Sequence, residues 1–454
     1  MSDSPTLTRW RLLAYGLPGL PGAVVLLPLY VYLPTYYADD LGLGLAWVGS
    51  VLLIARLWDM VSDPLIGLLS DRWTTPFGRR KPWLVAGTPL VIVSAFPLFL
   101  AESGATPWDL LLWTSLLYLG ATMVSLPHNA WGAELSDDYH ARSRITGTRE
   151  GLVVLGTLAA AALPALLPGG TKTTLQVIPY ALAVVLPLTV LLATLSVPEV
   201  PVRKPARAAA RSWRQGWKIL RGNRPFLLLI AAYLVNGIAN GLPATLFLMF
   251  ARHVLEANEW QEGMLLLSYF LCGILSIPLW LACSRRLGKH RAWMLAMGLS
   301  CLFFALVPFL GSGDVWLFLG ICLATGLCLG ADLTLPASMQ ADVVDLDRLR
   351  SGKSRAGLFF AVWGMATKLA LALAVGIAYP LLELFQFDPQ AEQHQAGGLF
   401  ALAVLYAWLP VALKLGSIWL FSAYPIDQAT QLRIRGLIAK RVGLERPEAP
   451  AAQS

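Results

Sequence analysis

The sequence predicts an all-α membrane protein with twelve transmembrane helices, built as two related six-helix halves. Three observations predict it. Of 454 residues, 56% are hydrophobic and only 14% charged, where a soluble domain carries about 25% charge and 45–50% apolar residues. The apolar residues collect into twelve runs, each near the roughly 20 residues a helix needs to cross a bilayer. The loops between the runs alternate between basic and acidic. So few charges cannot solvate a water-facing surface, and lipid is the expected solvent for most of it. Disorder, a disulfide scaffold and most soluble enzymes are excluded on the same ground.

The runs of the first half lie at 15–37, 47–69, 82–100, 108–130, 147–167 and 177–195. Those of the second half lie at 226–250, 263–282, 292–310, 315–336, 357–382 and 398–421. Backbone groups in lipid must be satisfied within the segment, so the runs are helices. Barrel strands would show short alternating runs, and there are none. The first run is too long for a cleaved signal and lacks a small-residue cleavage site, so it reads as the first span. The expected organisation is an N-terminal bundle at 1–197, a basic linker at 198–224, a C-terminal bundle at 225–423 and a polar tail at 424–454.

Arg72, Arg79, Arg80 and Lys81 follow span two, and Arg142 and Arg144 follow span four. Arg285, Arg286, Lys289 and Arg291 follow span eight, and Arg348, Arg350, Lys353 and Arg355 follow span ten. The opposite loops hold Asp39, Asp40, Glu102, Asp109, Asp314, Glu383 and Asp388. By the positive-inside rule the basic loops and both termini are cytoplasmic, in a multi-pass protein of the cell membrane. The net charge of +8 is then a property of those loops, and no nucleic-acid partner is expected. The linker holds eight basic residues from Arg203 to Arg224 and no acid between 201 and 224; an ordinary cytoplasmic linker explains it better than a contact with anionic lipid. Cys272, Cys283, Cys301, Cys322 and Cys328 lie in or beside apolar runs without metal-ligand spacing, as small core residues do.

The halves look related. "SDRWTTPFGRRKPWL" after span two resembles "SRRLGKHRAWML" after span eight, and "GAELSDDYHARSR" after span four resembles "QADVVDLDRLRSGKSR" after span ten. Six spans repeated in parallel is the layout of a major-facilitator transporter, which binds substrate near the bilayer midplane between its halves.

Charges inside the spans carry the chemistry. In "ARLWDMVSDPLIG", Arg56, Asp59 and Asp63 stand at i, i+3 and i+7, within about 60° on one helix face. Each charge at the bilayer centre costs about 2.5–3.5 kcal/mol on insertion scales, so three on one stripe imply a wet cavity. Two carboxylates one turn apart can hold a hard cation such as Na⁺ between their oxygens, by analogy with other hard cations. They can equally share a proton. The plainer alternative is an Arg56–Asp59 pair that only locks helices together. Lys368 is the only charge between Gly357 and Leu382. Its mid-span place argues against snorkelling, and Asp59 and Asp63 are its candidate partners.

Other residues are candidates for substrate contact. Asp332 in span ten falls near the internal match of Ser125 in span four; substrate contact, a second proton site and a helix-interface hydrogen bond are all open to it. Asn236 and Asn240 share a face in "NGIANGLPATLF", where Gly237, Gly241 and Pro243 are expected to break span seven and free carbonyls. Trp131 and Asn129 would line a substrate path. Arg149 beside Glu150 would anchor substrate or form a gate pair. His128 reads as a neutral packing histidine, with a proton relay as the alternative. Asp342 and Asp345 read as loop-side gate residues.

"ARLWDMVSDPLIGLLSDR…GRRKPW", "SLPHNAWGAELSDDYHARSRITGTRE", "ADVVDLDRLRSGKSRAGLFF" and the span-eleven lysine together resemble the glycoside–pentoside–hexuronide:cation symporters, the melibiose-permease-like branch of the major facilitators. The resemblance covers nearly the whole chain. It implies that Asp59 and Asp63 bind the coupling cation, helped by Thr122, with Ser62 where an asparagine stands beside them. It implies charge-partner roles for Arg56 and Lys368. The galactoside-binding acids of that family fall at Ala23 and Ser125, so the coupling half of the pattern is kept and the galactoside clamp is lost.

The expected function is cation-coupled symport, with Na⁺ or H⁺, of a sugar or glycoside-like solute by alternating access. An amphipathic or lysophospholipid-like substrate is the alternative. A lipid-modifying enzyme is the outside reading, and no nucleophile–base constellation favours it. No cofactor beyond the coupling ion is expected, and the chain is expected as a monomer in the bilayer. Arg79, Arg80, Lys81, Glu134, Arg142, Asp342 and Asp345 are the expected cytoplasmic gate.

Overall fold

The computed structural model describes residues 8–135, 139–199, 219–351, 356–391, 396–426 and, in the tail, 430, 431, 433, 434 and 437. Eleven helices among them are long and apolar enough to span a bilayer, and a bent pair makes the twelfth. The basic linker from 200 to 218, most of the tail and the Arg142 side chain lie outside the described residues.

The first span is a composite. Arg9–Gly16 and Gly19–Thr35 meet at Leu17 and Pro18, and a π-helical turn, Tyr36–Asp40, ends the span. Spans two to six are Leu45–Arg72, Lys81–Phe99, Pro107–Glu134, Tyr139–Leu166 and Gly170–Ser196. Span seven, Arg224–His253, is one unbroken helix. The expected break at Gly237, Gly241 and Pro243 does not occur. The two glycines instead let the helix press on span eleven: a Cβ at Gly237 would lie 2.8 Å from Ala370 Cβ, and one at Gly241 2.7 Å from Ala374 Cβ. The break comes in span eight, where Glu259–Leu275 and Ile277–Leu287 bend by 44° at Ser276. Pro278 has no N–H to give to the Ile274 carbonyl and crowds it, which is the usual cause of such a kink.

Span nine is Lys289–Phe304 with a short 3₁₀ turn, Val307–Phe309. Span ten, Val315–Ser351, runs far past the expected end at 336. Asp342 and Asp345 therefore sit on its last turns, not in a loop. Span eleven is Ala356–Leu384, and span twelve joins Ala396–Ala403 to Leu409–Phe421 through a π-helical turn, Val404–Trp408. Large apolar side chains such as Trp47, Val61, Leu188, Leu317, Phe400 and Trp419 point outward, as a lipid-facing surface requires.

Span two packs along span eleven, span five along span eight and span one along span seven, which joins the two halves. Between pairs of described residues, polar contacts across that seam fall in two places. One is the end where the acidic loops gather. There Arg252 of span seven reaches Asp39 and Asp40 at 3.4 Å each, His253 lies 3.3 Å from Asp39, Thr171 donates to Glu262 and the Ala46 N–H donates to Glu383. The other place is the middle of spans two and eleven.

At the basic end the polar networks described stay within one half. Arg79 and Arg80 reach Glu134 at 2.5 and 2.7 Å, Arg80 also meets Asp71 at 2.7 Å, and both backbone N–H groups donate to Glu199. Burial works against the Arg80 charge, but the Glu134 and Asp71 carboxylates outweigh it and raise the guanidinium above its ordinary range. Lys81 lies over the Trp131 ring. In the other half Lys289 bonds Asp342 at 2.5 Å, and Gln431 donates to the same carboxylate.

Candidate functional site

The helical period of span two sets Arg56, Asp59 and Asp63 on one stripe, and the fold turns that stripe toward spans four and eleven. Arg56 Nη1 bonds Asp59 Oδ2 at 3.0 Å. Thr122 Oγ1 of span four lies 3.2 Å from Asp59 Oδ1 and 2.9 Å from Asp63 Oδ1. Lys368 Nζ of span eleven lies 2.9 Å from Asp59 and 2.6 Å from Asp63. Ser62 turns away: its hydroxyl donates to the Asp59 carbonyl on its own helix. Arg56 and Asp59 are almost fully buried, whereas the Asp63 side chain keeps 27% of its surface.

Two positive and two negative groups make this cluster neutral. The lysine ammonium occupies the place between the carboxylates where a cation would be held. Desolvating such charges is tolerated only when each is paired and hydrogen-bonded, and here each carboxylate has at least two partners. Lys368 thus holds an oxygen of each carboxylate, and Arg56 holds the second oxygen of Asp59.

A second cluster lies in the C-terminal half. Asp332 accepts from Asn236 Nδ2 at 3.1 Å, Asn240 Nδ2 at 2.9 Å and Trp293 Nε1 at 2.6 Å. Lys414 of span twelve donates to Asn236 at 2.8 Å and lies 3.6 Å from Asp332. This ties spans seven, nine, ten and twelve together. Sequence reasoning passes over Lys414, although the signal is plain: one lysine deep inside an apolar run. Both asparagines spend an amide N–H on the Asp332 carboxylate; Asn236 is buried, whereas Asn240 also borders a cavity.

Two cavities adjoin these clusters. One of about 310 Å³ lies inside the N-terminal half, walled by apolar residues including Leu26, Leu29, Leu117 and Leu186. Ala23 and Ser125 are in its wall, and His128, Asn129, Arg149 and Glu150 add polar groups to it. Arg149 bonds both Asn129 and Glu150. The other cavity, of about 90 Å³, is lined by Asn240, Lys414 and the aromatic residues Phe247, Tyr269, Phe304 and Tyr406. Trp131 lines neither. It is fully buried, packs edge-on to Tyr15 and donates to the Pro198 carbonyl, so it braces the basic end of span four. His128 is buried too: Nε2 lies 2.7 Å from the Tyr15 carbonyl while the Tyr15 hydroxyl donates to the His128 carbonyl.

The sequence model of the family described as MFS/sugar transport protein matches residues 14–428. The chain belongs to that family. The match is to this broader group; the narrower glycoside–pentoside–hexuronide likeness rests on the motif residues. Among relatives of this family member, sodium-dependent lysophosphatidylcholine symporter 1 of Mus musculus is 26% identical over 458 residues, spanning 92% of this chain and 85% of its own. The sphingosine-1-phosphate transporter MFSD2B of Xenopus tropicalis is 24% identical over 455 residues, spanning 92% and 87%. In fold, the chain is similar to the nucleoside transporter NupG, with a TM-score of 0.65 at 16% identity over 91% of this chain and 99% of that one. The relatives are named as transporters, one of them as a sodium-dependent symporter, and transport is the role that the family description gives.

Proposed function

We propose that this protein is a Na⁺-coupled symporter of a single-chain amphiphile with a charged headgroup, of the lysophospholipid class. The observation that carries the reading is the cavity of about 310 Å³ in the N-terminal half. Its long walls are aliphatic, which suits a hydrocarbon chain by the hydrophobic effect. Arg149 and Glu150 place opposite charges together in the same cavity, which suits a zwitterion whose phosphate meets the guanidinium and whose quaternary amine meets the carboxylate. A sugar fits less well. It needs paired acceptors for its hydroxyls, and Ala23 and Ser125 offer a methyl and one hydroxyl. Two relatives carry lipid names, which supports the same choice.

In the proposed cycle Na⁺ displaces Lys368 from Asp59 and Asp63, and the freed ammonium changes the seam between spans two and eleven. Both termini and the basic loops are proposed to be cytoplasmic. The conformation described then has its extracytoplasmic end shut by the Arg252, Asp39 and Asp40 contacts.

The test is uptake of labelled lysophosphatidylcholine into proteoliposomes under an inward Na⁺ gradient, with a galactoside in parallel. Accumulation of the lipid that collapses without Na⁺ supports the proposal. Accumulation of the galactoside but not the lipid would overturn the substrate, and accumulation indifferent to Na⁺ would overturn the coupling ion.

A further inference from the structure

Arg56 is held in an unusual way. Its guanidinium carbon lies 4.1 Å from the centroid of the Tyr30 ring and 4.1 Å from that of the Tyr118 ring. One ring comes from span one and the other from span four. Nη1 bonds Asp59, while Nε and Nη2 find no hydrogen-bond partner among the described residues. Arg56 is 4% exposed, so the position of its guanidinium rests on one carboxylate and two aromatic faces. Stacked cation–π contacts of this kind contribute more when desolvated than at a surface.

Tyr118 has a second neighbour. It is part of the wall of the N-terminal cavity, together with Ala121 and Ser125. One turn further along span four, Thr122 bonds both Asp59 and Asp63. A single ring therefore touches the counter-ion of Asp59 and faces the cavity proposed for substrate. No other residue of that wall contacts Arg56 in this way among the described residues. Tyr30 differs: it grips the guanidinium without being part of the cavity wall.

We infer that Tyr118 is the positioning residue that links the two ligands. A chain entering the cavity fixes the Tyr118 ring, the ring fixes Arg56, and Arg56 sets how much of the Asp59 charge remains for the cation. Coupling between sites is a difference in affinity between states, and it is reciprocal. The inference rests on the amphiphile reading of the cavity and adds a mechanism to it.

The test uses the full chain in nanodiscs and reads the affinity for lysophosphatidylcholine with and without 100 mM Na⁺, by intrinsic tryptophan fluorescence. In the wild type Na⁺ is expected to tighten lipid binding about tenfold, within the usual range for coupling. Tyr118→Met keeps the bulk and removes the ring; both ligands should still bind, with the Na⁺ effect reduced to less than twofold. Tyr118→Phe keeps the ring and should retain the full effect. Tyr30→Leu should weaken Na⁺ binding several-fold in the absence of lipid and leave lipid affinity without Na⁺ unchanged.

A wild-type effect that persists in Tyr118→Met overturns the inference alone. So does loss of the effect in Tyr118→Phe, which would assign the link to the hydroxyl. If Tyr118→Met does not fold, Tyr118→Phe and Tyr30→Leu decide between those outcomes. A wild type that binds the lipid with no response to Na⁺ overturns the symport reading and this inference with it.

Discussion

Lys368 places its ammonium 2.6 Å from the Asp63 carboxylate, across the seam between the two halves. Asp59 has Arg56 as a second cation, but among the described residues Asp63 has Lys368 alone. Removing the lysine should therefore help a cation at this site rather than hinder it. In Lys368→Met the apparent Na⁺ affinity is expected to rise about tenfold, while Na⁺-driven uptake falls below a tenth of wild type. Titration of Na⁺ by tryptophan fluorescence, beside uptake on the same preparation, checks both. Unchanged Na⁺ affinity would mean that the ammonium and the ion use different places.

The two carboxylates should differ in what their loss does to folding. Asp59→Asn leaves Arg56 buried beside a neutral amide, and an uncompensated buried charge costs about 3–5 kcal/mol. Asp63→Asn leaves only Lys368, which still has Asp59 at 2.9 Å and is itself partly exposed. Asp59→Asn should thus lower the unfolding temperature in detergent clearly more than Asp63→Asn, although both abolish Na⁺-driven uptake. Equal melting temperatures would contradict this.

Asp332 and Lys414 pose the same question in the other half. Asp332 keeps three neutral donors when Lys414 is replaced. Among the described residues, Lys414 keeps only the side-chain Oδ1 of Asn236 when Asp332 is replaced. Asp332→Asn is expected to destabilise by about 3 kcal/mol, Lys414→Met by less, and the double variant by less than Asp332→Asn alone. Thermal unfolding of the four proteins gives the cycle. Additivity of the two single effects would show that the residues do not interact.

Arg252 joins Asp39, Asp40 and Glu262 at the acidic end. Arg252→Gln removes three ion pairs at once and should favour the conformation open at that end. Labelling of Ala46→Cys by a membrane-impermeant maleimide is expected to speed up several-fold in that background. Equal rates with and without Arg252 would show that the latch does not hold the end shut.

The twelve spans are legible in the sequence because lipid imposes one strong rule, a run of about 20 apolar residues for each crossing. The Arg56–Asp59–Asp63 stripe is legible for a similar reason: three charges in such a run stand out, and the 3.6 period puts them on one face. Where the reading goes astray, local signals compete. Glycine and proline in span seven look like a break, but the glycines serve close packing against Ala370 and Ala374, and the bend falls at Ser276, before Pro278. Trp131 looks like a candidate substrate contact because no local pattern tells a bracing indole from a lining one. The pairing of Asn236 and Asn240 with Asp332 and Lys414 joins four different spans. Such long-range geometry leaves no periodic trace.

At the acidic end, Gly49 and Gly376 bring spans two and eleven to backbone distance. A Cβ at Gly49 would lie 2.8 Å from Tyr379 Cβ, and one at Gly376 2.8 Å from Leu53 Cδ2. At Gly49 a methyl would meet Tyr379 Cβ and the Val375 carbonyl and would push the helices apart, whereas at Gly376 it would first meet the end of the Leu53 side chain, so the closeness of the two spans depends chiefly on the bare Cα of Gly49. An alanine at position 49 would wedge spans two and eleven apart where the halves meet, and one at 376 would ask only that Leu53 turn aside.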